Sequence, residues 1–365
     1  MTICILCKVI DNFGDAGFAW RLANALLQKR KSLDLRFISD NLKTLSSLES
    51  KINIHKKKQI VHHIAIYDWN ETDFCEREFQ NENDLIILQC FQCSYPIWLE
   101  KILFETKTIS RAFILNIDYL TAENYADEFH LLASLTRRSA VKKINFMPGF
   151  TNKTAGLIFR KTNDTLHSSA RKKKLNILFF SYERNCCPIV NAFSYAQKIC
   201  KKKFCIHLAY GTMQKKFFDC AEKTEEKFAI KKLSFLSQKK WDKFLKTFDI
   251  LFVRGEDSLA SACLLGAPFI WEAYAQAENY ELVKVRSLLE KMKLHFSEND
   301  FKIVERAWIL YNDKNANANE VERALCDFLV NAENLHSPFF SFAKELKTNG
   351  DFTENLLSFL EKASY

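Results

Sequence analysis

An α/β chain of two consecutive parallel-sheet domains is predicted by three features. Short apolar runs alternate with amphipathic stretches through both halves, the alternation lapses once near the middle, and each half carries an apolar run that ends in a polar loop opening a helix. At 365 residues the chain also exceeds the usual size of a single core. A cleft between the two domains is expected, because open α/β sheets keep their sites beyond the carboxyl ends of their strands.

In the first half the predicted strands are Thr2 to Val9, Leu35 to Ile38, Val61 to Ile66, Leu85 to Cys90 and Phe113 to Ile117. Helices are predicted near Ala16 to Lys31, Leu42 to Leu48 and Pro96 to Glu105, which makes a βαβ series. Between Thr151 and Lys174 the pattern gives way to polar runs with one apolar interruption at Leu157 to Phe159, and the domain junction is placed there. The alternation restarts with strand Leu175 to Phe180, helix Ile189 to Lys201, strands Phe204 to Ala209 and Ala229 to Phe235, and helix Lys239 to Phe248. Strand Ile250 to Val253, helix Asp257 to Leu265 and strand Phe269 to Trp271 complete the second series, and beyond Glu278 the pattern is mostly helical. The apolar residues Leu356, Leu357, Phe359 and Leu360 suit the last helix to docking on a neighbour. The domains expected are therefore 1–165 and 170–350, with 351–365 a terminal helix packing back on the first.

Apolar residues make up 48% of the chain and aromatic residues 13%, a globular composition. The net charge of +9 would favour an acidic partner, but the lysines fall in short runs such as Lys56 to Lys58 and Lys201 to Lys203 that read as solvated surface. Twelve cysteines are read as free thiols in a reducing compartment, since the chain begins with a strand and has no apolar run long enough to cross a bilayer. Cys4 and Cys7 have metal-knuckle spacing, yet positions three apart on a strand face opposite sides of the sheet. Cys90 and Cys93 lack further ligands at ribbon spacing, so both pairs, and Cys186-Cys187, read as buried small apolar residues.

Two loops carry legible chemistry. Asp11-Asn12-Phe13-Gly14-Asp15-Ala16-Gly17 follows the first strand as a glycine turn, and it carries two carboxylates where a phosphate loop would avoid negative charge. It reads as a site for a cation or a proton. The bland reading makes Asp15 a helix N-cap and Asp11 a turn former. In the second half a buried strand ends at Arg254, Gly255 turns the chain, and Glu256-Asp257-Ser258 open a helix. The first amides of that helix have no partner inside it and, with the helix dipole and the forked donor of Arg254, make an anion site suited to a pyrophosphate. Here too a plain helix cap is the bland alternative. Phe180, Tyr182, Phe235 and Gln238 stand at neighbouring strand ends and could offer a stacking face and hydrogen bonds to a base, although any one of 32 phenylalanines is more often core.

Several stretches together resemble the elongation factor P arginine rhamnosyltransferase family. They are Cys7 to Asp15 with Trp20-Arg21-Leu22-Ala23, Asp118-Tyr119-Leu120-Thr121-Ala122-Glu123, Phe146-Met147-Pro148-Gly149-Phe150 with Gly156-Leu157-Ile158, Arg254 to Ser258, and more weakly Gln276-Ala277-Glu278-Asn279. The resemblance implies an inverting glycosyltransferase of the GT-B architecture, with two facing Rossmann-like domains. It implies a dTDP-β-L-rhamnose donor on the second domain, an arginine of elongation factor P as acceptor on the first, and no metal; no other cofactor, no nucleic-acid or membrane partner and a cytoplasmic location are expected beside it. The family's essential carboxylates fall on Asp11, Asp15 and Glu256. Its donor-binding residues fall on Asn12, Phe13, Gly14, Phe180, Tyr182, Phe235, Gln238, Arg254, Gly255, Asp257, Ser258 and Gln276. The chain departs from the pattern at Gln89-Cys90-Phe91-Gln92-Cys93, where relatives carry an acidic residue, and at Ser181, where a glycine is usual.

On that reading Asp11 orients the acceptor guanidinium, Asp15 takes its proton, and Glu256 holds sugar hydroxyls. Two alternatives stand beside it. One is a GT-B glycosyltransferase with another donor and a small or lipid acceptor, and the other is a non-catalytic nucleotide- or RNA-binding protein whose affinity would fall steeply with salt. A nicotinamide enzyme is disfavoured, since Gly14-x-x-Gly17 lacks the leading glycine of the dinucleotide fingerprint.

Overall fold

The computed structural model describes residues 2–10, 12–106, 108–160, 173–224 and 227–363. The chain divides into two compact units, Met1–Phe159 with Asn349–Tyr365, and Arg160–Thr348.

The first unit runs β1 (Thr2–Cys7), α1 (Asn12–Lys29), β2 (Asp34–Ser39), α2 (Leu42–Leu48), β3 (Lys58–Val61), β4 (Ile64–Asp68), α3 (Thr72–Phe79), β5 (Asp84–Cys90), α4 (Ile97–Phe104), β6 (Arg111–Ile117), α5 (Tyr125–Phe129), β7 (Ala133–Ser134) and β8 (Val141–Asn145). Its strands form one sheet in the order β3-β4-β2-β1-β5-β6-β8-β7, parallel except at the two edge pairs β3/β4 and β7/β8. β1 is covered on both faces, which is why it reads as a continuous apolar run rather than an alternating one. Ile3, Ile5 and Cys7 join the core formed with Ala19, Leu22 and Leu26 of α1, while Cys4 and Leu6 point to the opposite core with Phe79 and Trp98. The Val61 to Ile66 stretch is two strands, not the single one predicted. His62 and His63 adopt left-handed φ values of 52° and 65°, which reverses the chain between β3 and β4.

The second unit runs β9 (Lys174–Phe179), α6 (Cys187–Cys200), β10 (Lys203–Leu208), α7 (Met213–Ala221), β11 (Ala229–Lys232), α8 (Gln238–Leu245), β12 (Ile250–Arg254), α9 (Glu256–Leu265) and β13 (Phe269–Glu272). Helices α10 (Tyr280–Met292), α11 (Glu298–Asn312), α12 (Ala318–Val330) and α13 (Ala332–Thr348) follow. The sheet is parallel, in the order β11-β10-β9-β12-β13. Sequence reasoning passed over α7, and it carried β11 on to Phe235 where pairing stops at Lys232. Cys187 is not the free thiol expected: it forms a disulfide with Cys220, their Cα atoms 5.3 Å apart.

The last helix, α14 (Phe352–Ala363), belongs to the first unit. Phe352, Leu356, Leu357 and Leu360 enter the same core as β1 and α1, and at about 1.5–3 kcal/mol per buried large apolar side chain they make the terminal segment a main contributor to that unit. Asp351 fixes the entry by accepting from the Phe159 amide at 2.7 Å and the Thr353 amide at 2.9 Å.

Candidate active site

Each sheet has a point where the strand order reverses, and the polar loops gather there. In the first unit β1 lies between β2 and β5, so the loops after β1, β5 and β6 emerge side by side. The helix after β1 starts at Asn12, earlier than the sequence indicated, so Gly14, Asp15 and Gly17 sit inside its first two turns and form no glycine turn. Asp15 is buried, 1% exposed. Its Oδ2 accepts from the Ile10 amide at 2.8 Å and its Oδ1 from the Tyr119 hydroxyl at 3.2 Å. Phe13 is exposed, and Asp11 and the side chain of Asn12 lie outside the described residues.

Tyr119, which contacts Asp15, and the residues that hold its loop were not singled out as site residues by the sequence. Tyr119, just past β6, stacks on Phe91, just past β5, with ring centroids 4.3 Å apart. Phe91 and Gln92 hold left-handed φ values of 58° and 50°, and Gln92 Nε2 donates to Asp118 Oδ2 at 2.6 Å, which ties the loops after β5 and β6 together. The signal available was the position of each residue at the carboxyl end of a strand next to β1. Cys4, Cys7, Cys90 and Cys93 are all buried. Burial pushes the Cys4 thiol up to about 12 and the Cys93 thiol up to about 11. Among the described residues no group of three or more His, Cys, Asp or Glu side chains is placed to hold a metal ion.

In the second unit the order reverses at β9, so the loops after β9 and β12 flank the switch point. Arg254 lies between two rings, its guanidinium carbon 4.6 Å from the centroids of both Phe180 and Tyr182. Gly255 caps α9 at φ 70° and ψ 176°, a conformation L side chains rarely adopt, and a Cβ there would meet the Tyr182 hydroxyl at 3.5 Å. The N-cap residue of α9 is Gly255 and Asp257 and Ser258 lie inside the helix, so they are not the caps the bland reading made them. Arg160 instead reaches the Asp257 carbonyl at 3.2 Å and its carboxylate at 3.4 Å, and Lys284 Nζ lies 3.6 Å from Glu256. Both acids at this helix start thus have a cation beside them, which lowers their repulsion toward an incoming anion.

Phe180 packs edge-on against Trp241, and the exposed Phe235 packs edge-on against Tyr210 at 6.1 Å. Phe180, Ser181, Tyr210, Gly211 and Arg254 line a small pocket. Gln238 opens α8, while Gln276 lies on the surface, its backbone N–H donating to the buried Glu281 carboxylate. Glu272, 8% exposed at the end of β13, carries no signal in the sequence pattern. Its carboxylate accepts from Ser181 Oγ at 2.7 Å, the Tyr182 amide at 2.9 Å and Arg184 at 3.2 Å, and so holds the loop that carries Phe180 and Tyr182. Burial raises its carboxyl above the usual range, with Arg184 the leading opposing influence.

Both units thus place a polar cluster at a sheet's switch point, one anchored on a carboxylate and the other on an arginine beside a helix start. Known proteins are similar to this chain to different degrees. The protein-arginine rhamnosyltransferase of Shewanella oneidensis is 26% identical over 321 residues, covering 78% of this chain and 79% of that protein. The solved structure titled "Structural basis for EarP-mediated arginine glycosylation of translation elongation factor EF-P" matches 99% of both chains with a TM-score of 0.60 at 17% identity. Arabidopsis thaliana UGT89C1, solved with UDP-L-rhamnose, matches 99% of this chain and 98% of its own with a TM-score of 0.54 at 10% identity, so the fold is that of the GT-B glycosyltransferases. The sequence profile of the Elongation-Factor P (EF-P) rhamnosyltransferase EarP matches residues 3–361, and the chain belongs to that family.

Proposed function

We propose that the chain transfers L-rhamnose from dTDP-β-L-rhamnose to an arginine side chain of elongation factor P in the cytoplasm, with inversion at the anomeric carbon and without a metal. The buried, doubly hydrogen-bonded carboxylate of Asp15 is the observation that carries this reading.

An arginine is a poor nucleophile. Its lone pairs are delocalised over the guanidinium, and a pKa above about 12 keeps it protonated at neutral pH. A fixed carboxylate can localise that charge, aim one terminal nitrogen and accept its proton as the new bond forms. In the reacting complex the nitrogen lone pair forms the bond to C1, the C1–oxygen bond breaks with its electron pair passing to dTDP, and the nitrogen's proton goes to Asp15. Asp11 is assigned to orient the guanidinium. Because Asp15 is already held by the Ile10 amide and Tyr119, little of its ordering remains for the moment of reaction.

On the donor side the helix start at Asp257 and Ser258, with Arg254 and Gly255, receives the diphosphate and stabilises it as it departs. The Phe180, Tyr182, Phe235 and Gln238 side chains face the base, Glu256 holds a sugar or ribose hydroxyl, and Asn12, Phe13, Gly14 and Gln276 complete the donor's surroundings. Thermal stabilisation by dTDP compared with UDP, GDP and NAD tests the donor. The expected order has dTDP first, and a larger shift with any of the others would overturn the assignment.

A further inference from the structure

Three of the twelve cysteines meet in the second unit. Cys187, the first residue of α6, is bonded to Cys220 in the last turn of α7, and the buried Cys186 sulfur lies 3.7 Å from that of Cys220. The closed loop between them contains β10 and the turn Ala209 to Met213, which forms one wall of the small pocket beside Arg254. The segment before Cys186 supplies the facing wall at Phe180 and Ser181.

The three sulfurs are unequal. A thiolate on Cys187 sits at the positive end of a 14-residue helix, whereas one on Cys220 sits at the negative end of its own. Cleavage is therefore directed: an attacker bonds to Cys220 and Cys187 departs. Burial pushes the Cys186 thiol up, with its own amide, Lys216 and Arg184 pulling it back, so it rests protonated beside the bond. Cys187 and Cys220 are only half-buried and open to a small reagent. In a chain we read as cytoplasmic, such a bridge is suited to exchange more than to permanent stapling.

We propose that Cys186, Cys187 and Cys220 form a thiol–disulfide exchange site that reacts with dithiol reductants and controls how firmly the pocket wall at Ala209 to Met213 is held. In the external reaction a dithiol's thiolate bonds to Cys220 Sγ, and the electron pair of the old bond leaves with Cys187. The dithiol's second sulfur then displaces Cys220, and the dithiol is oxidised to its cyclic disulfide. In the internal reaction the Cys186 thiolate takes the attacker's place, giving a Cys186–Cys220 bond and a Cys187 thiolate with no net redox change.

The test uses the full chain without nucleotide, so the donor assignment can fail without touching it. Differential alkylation with mass spectrometry maps the bonds in wild type and in Cys187→Ser after treatment with oxidised glutathione, and amide hydrogen exchange follows residues 208–213 before and after dithiothreitol. The expected results are a Cys187–Cys220 bond in wild type and a Cys186–Cys220 bond in the variant. Exchange at 208–213 is expected to speed up by roughly threefold or more on reduction. Free Cys186 and Cys220 in the oxidised variant would overturn the internal exchange, and unchanged protection at 208–213 would overturn control of the pocket wall.

Discussion

Asp15 in the first unit is 1% exposed and fixed through both carboxylate oxygens, whereas Arg254 in the second is half-buried and flanked by ring faces. Charge divides along the same line. Met1–Phe159 with Asn349–Tyr365 hold 21 Lys and Arg against 21 Asp and Glu, while Arg160–Thr348 hold 32 against 23, so the whole net charge of +9 resides in the second unit. A lysine excess spread evenly by composition would have charged both. Under the proposed function the difference has a use: the first unit holds a single proton-accepting group still, and the second attracts and seats an anion.

The largest expected effect breaks the first half of that comparison. Asp15→Asn is expected to lower the transfer rate by roughly 10²–10⁴-fold while dTDP affinity stays at the wild-type value, read by single-turnover kinetics and calorimetry. Wild-type turnover would remove Asp15 from the chemistry.

The second unit is broken next. Glu272→Ala leaves Arg184 without its carboxylate and the Ser181–Tyr182 loop without its acceptor. We expect a loss of roughly 3 kcal/mol of stability by denaturant unfolding. Nucleotide affinity should fall with it, and an unchanged unfolding midpoint would show that the loop is held by other contacts.

Tyr119→Phe sharpens the comparison. It removes one hydrogen bond to Asp15 and keeps the stack on Phe91. A cost of about 1 kcal/mol, or roughly fivefold in kcat, is expected. Steady-state kinetics at matched stability checks this, and an unchanged kcat would remove Tyr119 from the support of Asp15.

The smallest effect concerns His130, whose Nδ1 accepts from the Met147 amide at 3.1 Å. Burial lowers its pKa from 6.5 to about 4, with Asp127 opposing. The unfolded chain therefore binds this proton more readily than the folded one. The resulting stability is present in full above pH 6.5 and is lost as the pH falls through about 4. His130→Gln should flatten the pH dependence of stability over that window, as followed by urea unfolding.

Most of the fold was legible because buried parallel strands leave continuous apolar runs such as Ile3 to Cys7 and Ile250 to Val253, and no neighbour overrides so strong a pattern. The β3/β4 hairpin was missed because its turn uses two histidines in left-handed conformation, not Asn-Gly or Gly-Gly. The Cys187–Cys220 bond was missed because its members lie 33 residues apart and only the packing of α6 and α7 brings them together. At the candidate site the loops after β1 and β12 announced themselves by charge and glycine. Tyr119 and Glu272 did not, since each acts through a partner distant in sequence: Asp15 is 104 residues from Tyr119, and Ser181 is 91 from Glu272.

The proposed chemistry is tested most directly by mass spectrometry of elongation factor P after incubation with the purified protein and dTDP-β-L-rhamnose. A deoxyhexose-sized mass increase on one arginine, absent with Asp15→Asn, is the expected result. An unmodified acceptor in the presence of folded, dTDP-binding protein would contradict it.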